Sequence, residues 1–235
     1  MKSFFKYVLA TITGIMISSI LMFFILIGIV TYMVSTVSPT SETVTPSNAV
    51  LLVTLDHSIT EKTEPNPFEG LDVPGYSSMR SIGLNDILSR IQAAKEDSNI
   101  KGIYLNVKGV NTGFATMKAI RDAIQDFKAS GKFVVAYSEN FTQKAYYLSS
   151  VADQIYLHPE GGLDFRGLAS SVMFFKDALD KVGVDMQVLK VGTYKSAVEP
   201  YIMNSMSEAN REQVNSYLGS IYSTFVNDIA TGRKL

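Results

Sequence analysis

Hydrophobic positions along the chain fall into two regimes separated by a polar stretch. The first regime has no period at all. Between Lys6 and Glu42 there is no charged residue, and Tyr7–Val34 reads YVLATITGIMISSILMFFILIGIVTYMV, apolar all round. At about 1.5 Å per residue it would make a helix of about 42 Å, enough to cross a bilayer core of about 30 Å with tilt. A cleaved secretory signal carries an apolar region of only about 7–15 residues, and no convincing small-x-small cleavage site follows this one. An uncleaved membrane anchor over residues 7–34 is expected. Lys2 and Lys6 precede it and the first charge after it is acidic. The positive-inside bias then makes residues 1–6 a cytoplasmic tail and exports everything after the helix. Residues 35–49, STVSPTSETVTPSNA, are dominated by Ser, Thr and Pro, and read as an extended linker.

From residue 50 onward short apolar runs alternate with segments of helical period. AVLLVTLD (49–56) reads as a buried strand, and residues 60–80, rich in Pro and Gly, as a long loop. GLNDILSRIQAAKED places Leu84, Ile87, Leu88 and Ile91 at helical spacing. IKGIYLNV is a strand. FATMKAIRDAIQDFKAS puts Met117, Ile120, Ile124 and Phe127 on one face, with Gly131 closing the helix. KFVVAYS is a strand, TQKAYYLSSVA a short helix, and QIYLHP a short strand. SSVMFFKDALDKVGV reads as a helix ending before Gly183, and MQVLKVG as a further strand. SEANREQVNSYLGSIYSTFVNDIATGR is a long helix with Ser207 as its N-cap. This alternation predicts a mainly parallel α/β sheet with helices outside it.

Composition narrows the chemistry. The 235 residues carry a net charge of −1 and no long basic patch, so nucleic acid is not an expected partner. The absence of cysteine excludes disulfides, thiolate metal sites and a cysteine nucleophile. With only His57 and His158, a histidine-rich metal cluster is impossible. Each reads as a strand-end residue, since a catalytic histidine needs an orienting partner. No phosphate-binding glycine pattern occurs; GVNTG (109–113) is too weak to read as a cradle, and Asp56, Glu61 and Glu64 read as solvated surface. No cofactor and no metal are expected.

One stretch stands apart: VLKVGTYKSAVEPYIM, residues 188–203. Lys195 sits among small and uncharged neighbours, just after a predicted strand, where α/β folds collect their sites. Such a lysine is either a surface ammonium or a base kept neutral. Free lysine, with a pKa of about 10.4, is charged at neutral pH and cannot take a proton from a hydroxyl. Withdrawal from water favours the neutral amine, which arginine cannot become. Glu199 is the one nearby carboxylate, and for Lys195 to act as a base it must point elsewhere.

The residues around Lys195 resemble the signal peptide peptidase A (protease IV) family of the long, two-repeat type. VGTYKSAVEPY (191–201) and NSMSEANREQ beyond it carry the most specific likeness. YLHPEGGLDFRGL (156–168), SVMFFKDALDKVGV, IKGIYLNV and GKFVVAYSENFTQKAYYLSSVADQIYLHP extend it over about residues 50–235. The resemblance implies a crotonase/Clp-protease-like spiral of ββα units behind the anchor. It also implies a serine endopeptidase with a Ser–Lys dyad that degrades cleaved signal peptides. Lys195 is then the general base, and the partners are peptide substrates, the lipid bilayer through the N-terminal helix, and further copies of the full-length protein. The setting implied is the bacterial inner (cytoplasmic) membrane, crossed once, with the peptidase domain on the extracytoplasmic side.

The nucleophile departs from the pattern. Single-repeat relatives place it in a Ser-Gly-Gly-Tyr-Tyr-like segment opening the short helix, which here reads QKAYY, with Gln143 at the serine position. An amide cannot make that attack. Ser138, Ser149 and Ser150 fall out of register, and Ser196 is adjacent to Lys195 and points away from it in an extended segment. In the two-repeat relatives the first repeat supplies the lysine and the second the serine, so the resemblance implies that residues 50–235 are the base-bearing N-terminal repeat, with the serine in a second repeat absent from this chain, and the chain alone is expected to be inactive. The alternative is a catalytically silent, membrane-tethered interaction domain.

Overall fold

The computed structural model describes residues 2–37, 45–63 and 81–235. The N-terminal unit contributes one helix, α1 (Lys2–Val37), which contains the whole of 7–34. Its stretch Ser3–Tyr32 is long and apolar enough to cross a membrane. Within it the hydroxyls of Thr11 and Thr13 donate to the carbonyls of Tyr7 and Leu9, each at 2.9 Å. Those bonds satisfy both side chains inside the helix, as an apolar surround requires. Of the expected linker, residues 38–44 lie outside the described residues, as do residues 64–80 of the expected long loop.

The second unit is a parallel sheet covered by helices. Its strands are β1 (Ala49–Val53), β4 (Ile100–Asn106), β5 (Phe133–Phe141) and β6 (Gln154–Leu163), side by side in that order. Every pair is parallel, in registers such as Leu51↔Ile103, Ile103↔Val134 and Ala136↔Ile155. A smaller parallel pair, β2 (Ser58–Thr60) and β3 (Ser81–Gly83), lies between β1 and the helix α2 (Leu84–Glu96) in the chain. The polar sequence hid both strands, and Thr60 belongs to β2 rather than to a loop.

One face of the central strands is fully buried: Ile103 and Leu105 of β4, with Val107 just beyond it, and Val134 and Ala136 of β5 are alternate residues on the same side, while Tyr104, Val135 and Tyr137 between them keep partial exposure. Val50 and Leu52 of β1 remain about half exposed, because they point to the same partly open face as Tyr104, the partner of Leu52. The expectation of a buried first strand is corrected in that respect.

The helix α3 (Phe114–Lys128) buries Met117, Ile120, Ile124 and Phe127 completely, the face that the spacing marks out. Gly131 follows it with φ +82°, a left-handed turn that glycine adopts without steric cost. Lys132 closes α2 instead: its Nζ donates to the carbonyls of Ala94, Lys95 and Asp97 at 2.7–2.9 Å. A cation there also suits the negative end of the helix.

The long helix α7 (Glu208–Arg233) meets the body at a joint centred on Tyr147. Tyr147, on α4 (Gln143–Ser149), is fully buried and stacks on Phe225 at 4.0 Å with the rings 10° from parallel. Its hydroxyl donates to Asp228 Oδ2 at 2.5 Å. Burial first, and then the Asp228 carboxylate, push the phenol well above its ordinary pKa. Arg121 donates to the Asp228 carbonyl at 2.6 Å and covers the Tyr147 ring at 5.3 Å. Gly232 completes the approach: a Cβ there would stand 2.7 Å from the Ser150 carbonyl oxygen.

One expected element is absent and one is shortened. Residues 186–192 form no strand, and the helix expected from 170 to just before Gly183 is reduced to α5 (Lys176–Lys181). A strand exists only through its hydrogen-bonded neighbour, and no described strand lies beside 186–192. Leu189 and Val191 stand out in solvent. Phe175 begins α5 by donating its N–H to the Pro200 carbonyl at 2.7 Å.

The joint makes a prediction. Tyr147→Phe leaves the Asp228 carboxylate short of a donor and is expected to cost about 1.5–3 kcal/mol, as a hydrogen bond to a charged group. Phe225→Ala is expected to cost about 3–5 kcal/mol through the cavity left against Tyr147. Urea denaturation of the purified chain measures both, and unchanged midpoints would show that α7 is held by other contacts.

Candidate functional site

Lys195 does not leave the sheet on a strand. Gly192, with φ +98°, turns the chain, and Lys195 then caps a 3-10 turn, Ser196–Val198, that runs directly into α6 (Glu199–Ile202). Tyr194 fastens this turn to α7 by donating its hydroxyl to Glu212 at 3.0 Å. Lys195 is exposed at the rim of an open hollow of about 510 Å³, lined also by Leu189, Tyr194, Val198 and Gln213. Among the described residues no carboxylate lies within ion-pairing distance of it. The expected withdrawal of the amine from water is not provided by these residues. Desolvation would have to come from whatever covers the hollow.

Glu199 is turned away, as the chemistry of a lysine base demands. Its carboxylate is almost completely buried, at 2 % exposure. Oε1 accepts from Ser207 Oγ at 2.5 Å, and Oε2 accepts from Asn210 Nδ2 at 2.9 Å and from the Ser207 N–H at 3.2 Å. Burial by itself would raise this carboxyl. The donors from Ser207 and Asn210, with the Lys190 charge beyond them, outweigh burial and hold it below the ordinary glutamate value. Ser207 also caps α7, accepting from the Asn210 N–H at 3.2 Å.

Gln143 opens α4 and is fully used. Its side-chain carbonyl accepts from the N–H groups of Arg166 and Gly167, at 3.1 and 2.8 Å. The position at which a nucleophile was expected holds a clamp on the chain leaving β6. Ser138, Ser149 and Ser150 are each fully buried, which removes all three from contact with a substrate. Among the described residues no bond, ion pair or ring contact joins Lys195 to Gln143.

A second hollow lies at the C-terminal ends of the parallel strands, the usual ligand position in such sheets. It measures about 600 Å³ and is lined by Leu55, Asp56, Val110, Asn111, Gln143 and Lys144, among others. Asp56 is exposed, as expected of solvated surface, and GVNTG, too weak to read as a cradle, contributes Gly109, Val110 and Asn111 to this hollow. Only the topology carries the ends of β1, β4 and β5 to one edge. Lys144 is tied to the Thr112 carbonyl at 2.8 Å and lies over the Phe114 ring at 5.2 Å. His57 and His158 remain outside any catalytic arrangement: the first is 3.7 Å from its neighbour Asp56, and the second accepts from the Glu160 N–H at 3.2 Å. Among the described residues no three acidic or histidine side chains gather as metal ligands.

Comparison with known proteins bears on this geometry. Residues 126–235 match the model of peptidase family S49. The chain is 33% identical over 241 residues to protease 4 of Salmonella typhi, an alignment covering 99% of this chain and 39% of that protein. It is 32% identical over 232 residues to protease 4 of Haemophilus influenzae, covering 93% and 37%. A chloroplastic serine protease SPPA of Arabidopsis thaliana is 31% identical over 188 residues, covering 79% and 26%. The chain thus spans well under half the length of these relatives.

The buried carboxylate predicts an acid sensitivity. A group held below its ordinary value contributes stability that is present above about 4.3, the value of free glutamate, and is lost as pH falls from there toward the folded-state value. Asp153, which Lys128 and the Val134 N–H hold low against its burial, contributes alike in the wild type and in a Glu199 variant. Urea midpoints between pH 7 and pH 3.5 should therefore fall more steeply for the wild type than for Glu199→Gln. Parallel curves would mean that Glu199 carries no charge-dependent stability.

Proposed function

Because the chain belongs to the signal peptide peptidase A family, peptidase family S49, we propose that it is the N-terminal, base-bearing part of a membrane-anchored serine endopeptidase. Residues 1–6 form a cytoplasmic tail, 7–34 the anchor, 35–49 a linker and 50–235 the first repeat. The serine of the dyad comes from a second repeat, for which the greater length of the relatives leaves room. Lys195 takes the proton from the serine hydroxyl as its oxygen attacks the peptide carbonyl. The lysine then returns that proton to the departing amine, and water releases the acyl group with the same base. The substrates are cleaved signal peptides left in the bilayer of the bacterial inner membrane, met on its extracytoplasmic side.

One observation supports this reading: among the described residues no carboxylate pairs with the exposed Lys195, and Glu199, the acidic residue nearest to it in the sequence, is spent on Ser207 and Asn210. The open hollow also fits a base that a second repeat covers and dries. Exposed Met173, Val182, Leu189 and Val191 on the same stretch of chain support a covering partner, either that repeat or further copies of the protein. The alternative, a silent tethered interaction domain, is favoured for the isolated chain by the Gln143 clamp and the buried serines.

In the complete protein Lys195→Ala is expected to abolish peptide hydrolysis with the circular dichroism spectrum unchanged, since the exposed side chain fills no core volume. Lys195→Arg is expected to do the same, because arginine stays protonated. Appreciable turnover in either variant would assign the base elsewhere.

The charge asymmetry across the anchor sets a topology test. Protease added to spheroplasts is expected to digest the domain from Val50 onward while the anchor stays with the membrane. Protection of that domain would reverse the orientation.

A further inference from the structure

Between Ala152 and Asn210 the chain runs over the surface, and a single residue in that interval is buried, the carboxylate Glu199. Lys195 lies four residues before it. The two are joined by the 3-10 turn Ser196–Val198, which passes without a break into α6. There is little freedom in such a connection, so the placement of one end sets the placement of the other.

We infer that Glu199 is a positioning residue for Lys195, anchoring the lysine-bearing turn to the N-terminus of α7 and keeping its own carboxylate off the amine. The inference rests on the reading of Lys195 as the base and adds what holds that base in place.

The chemistry of the anchor suits the task. An apolar side chain at this point would be satisfied by burial in many orientations. A carboxylate taking three donors from two residues of α7 is fixed in direction as well as position. The N-terminus of α7 adds N–H groups and the positive end of a helix dipole, which stabilise a buried negative charge together with the Lys190 charge farther off. The helix α7 is itself locked to the body by Phe225 and Asp228 on Tyr147. A continuous path of short contacts therefore leads from the core to Lys195. The hydroxyl of Tyr194 on Glu212 gives the same turn a second, exposed tie to the same helix.

The occupied carboxylate has a second consequence. Glu199 is the only acidic residue between Asp185 and Glu208, and an ion pair with Lys195 would keep the amine protonated. Committing both of its oxygens to Ser207 and Asn210 removes that option.

The test uses the complete protein and a leucine-rich peptide substrate. Glu199→Gln keeps the shape and loses the charge; Asn210→Ala removes one donor from the other side and serves if the first variant folds poorly. Each is expected to lower kcat by about tenfold, the scale of a small misplacement of a catalytic group, with KM changed less than about twofold. The double variant should lose little more than Glu199→Gln alone, because both changes cut the same tether. A purely structural role would instead lower the denaturation midpoint while the folded enzyme kept its kcat. Wild-type kcat in folded Glu199→Gln and Asn210→Ala, with Lys195→Ala inactive, overturns the positioning role and leaves the base assignment standing. An active Lys195→Ala overturns both.

Discussion

The structure depends on the burial of one phenol. Tyr147 sits at full depth between α3 and α7, and a buried hydroxyl without a partner is costly. Asp228 supplies the partner and Phe225 the matching flat surface. Of the 26 residues of α7 only Asn210, Phe225 and Ile229 are buried, so the helix has no broad apolar face to hold it by hydrophobic burial alone. Its placement rests on a few directional contacts. Everything between β6 and the end of the chain inherits that placement.

That arrangement separates two tasks. The parallel sheet and α3 supply most of the buried apolar residues, to which Phe225 and Ile229 of α7 are added. The segment from Asp153 to Ala209 carries Lys195 across the surface, fixed by polar ties: Gln143 on the Arg166 and Gly167 N–H groups, Tyr194 on Glu212, and Glu199 on α7. Polar ties of this kind hold a strip of chain in place and leave its apolar side chains free to meet another surface.

Gln143, at the position where the resemblance led one to look for a nucleophile, has a structural task instead. An amide oxygen collects two backbone N–H donors that would otherwise need water, and so closes the exit of β6. A serine there, with its shorter side chain, would not span the same gap.

Local pattern alone was enough for the parts whose order is local. The buried face of α3, the central runs of β4 and β5, the turn at Gly131, the Ser207 cap and the apolar N-terminal helix are all legible in the residues, because a helical period or a charge-free run is a property of neighbours in sequence. The likeness around Lys195 was legible in the same way. The tertiary structure decided the rest. Residues 186–192 have the composition of a strand, yet a strand is a relation to another strand and no described one is beside it. Residues 170–175 look helical and are not. Asp56 and Asn111, far apart in the chain, meet at one edge only because three parallel strands end there. Glu199 reads as a stray charge until Ser207 and Asn210 are folded onto it, and whether Lys195 is dry or wet depends on what lies over it, which no spacing in the sequence encodes.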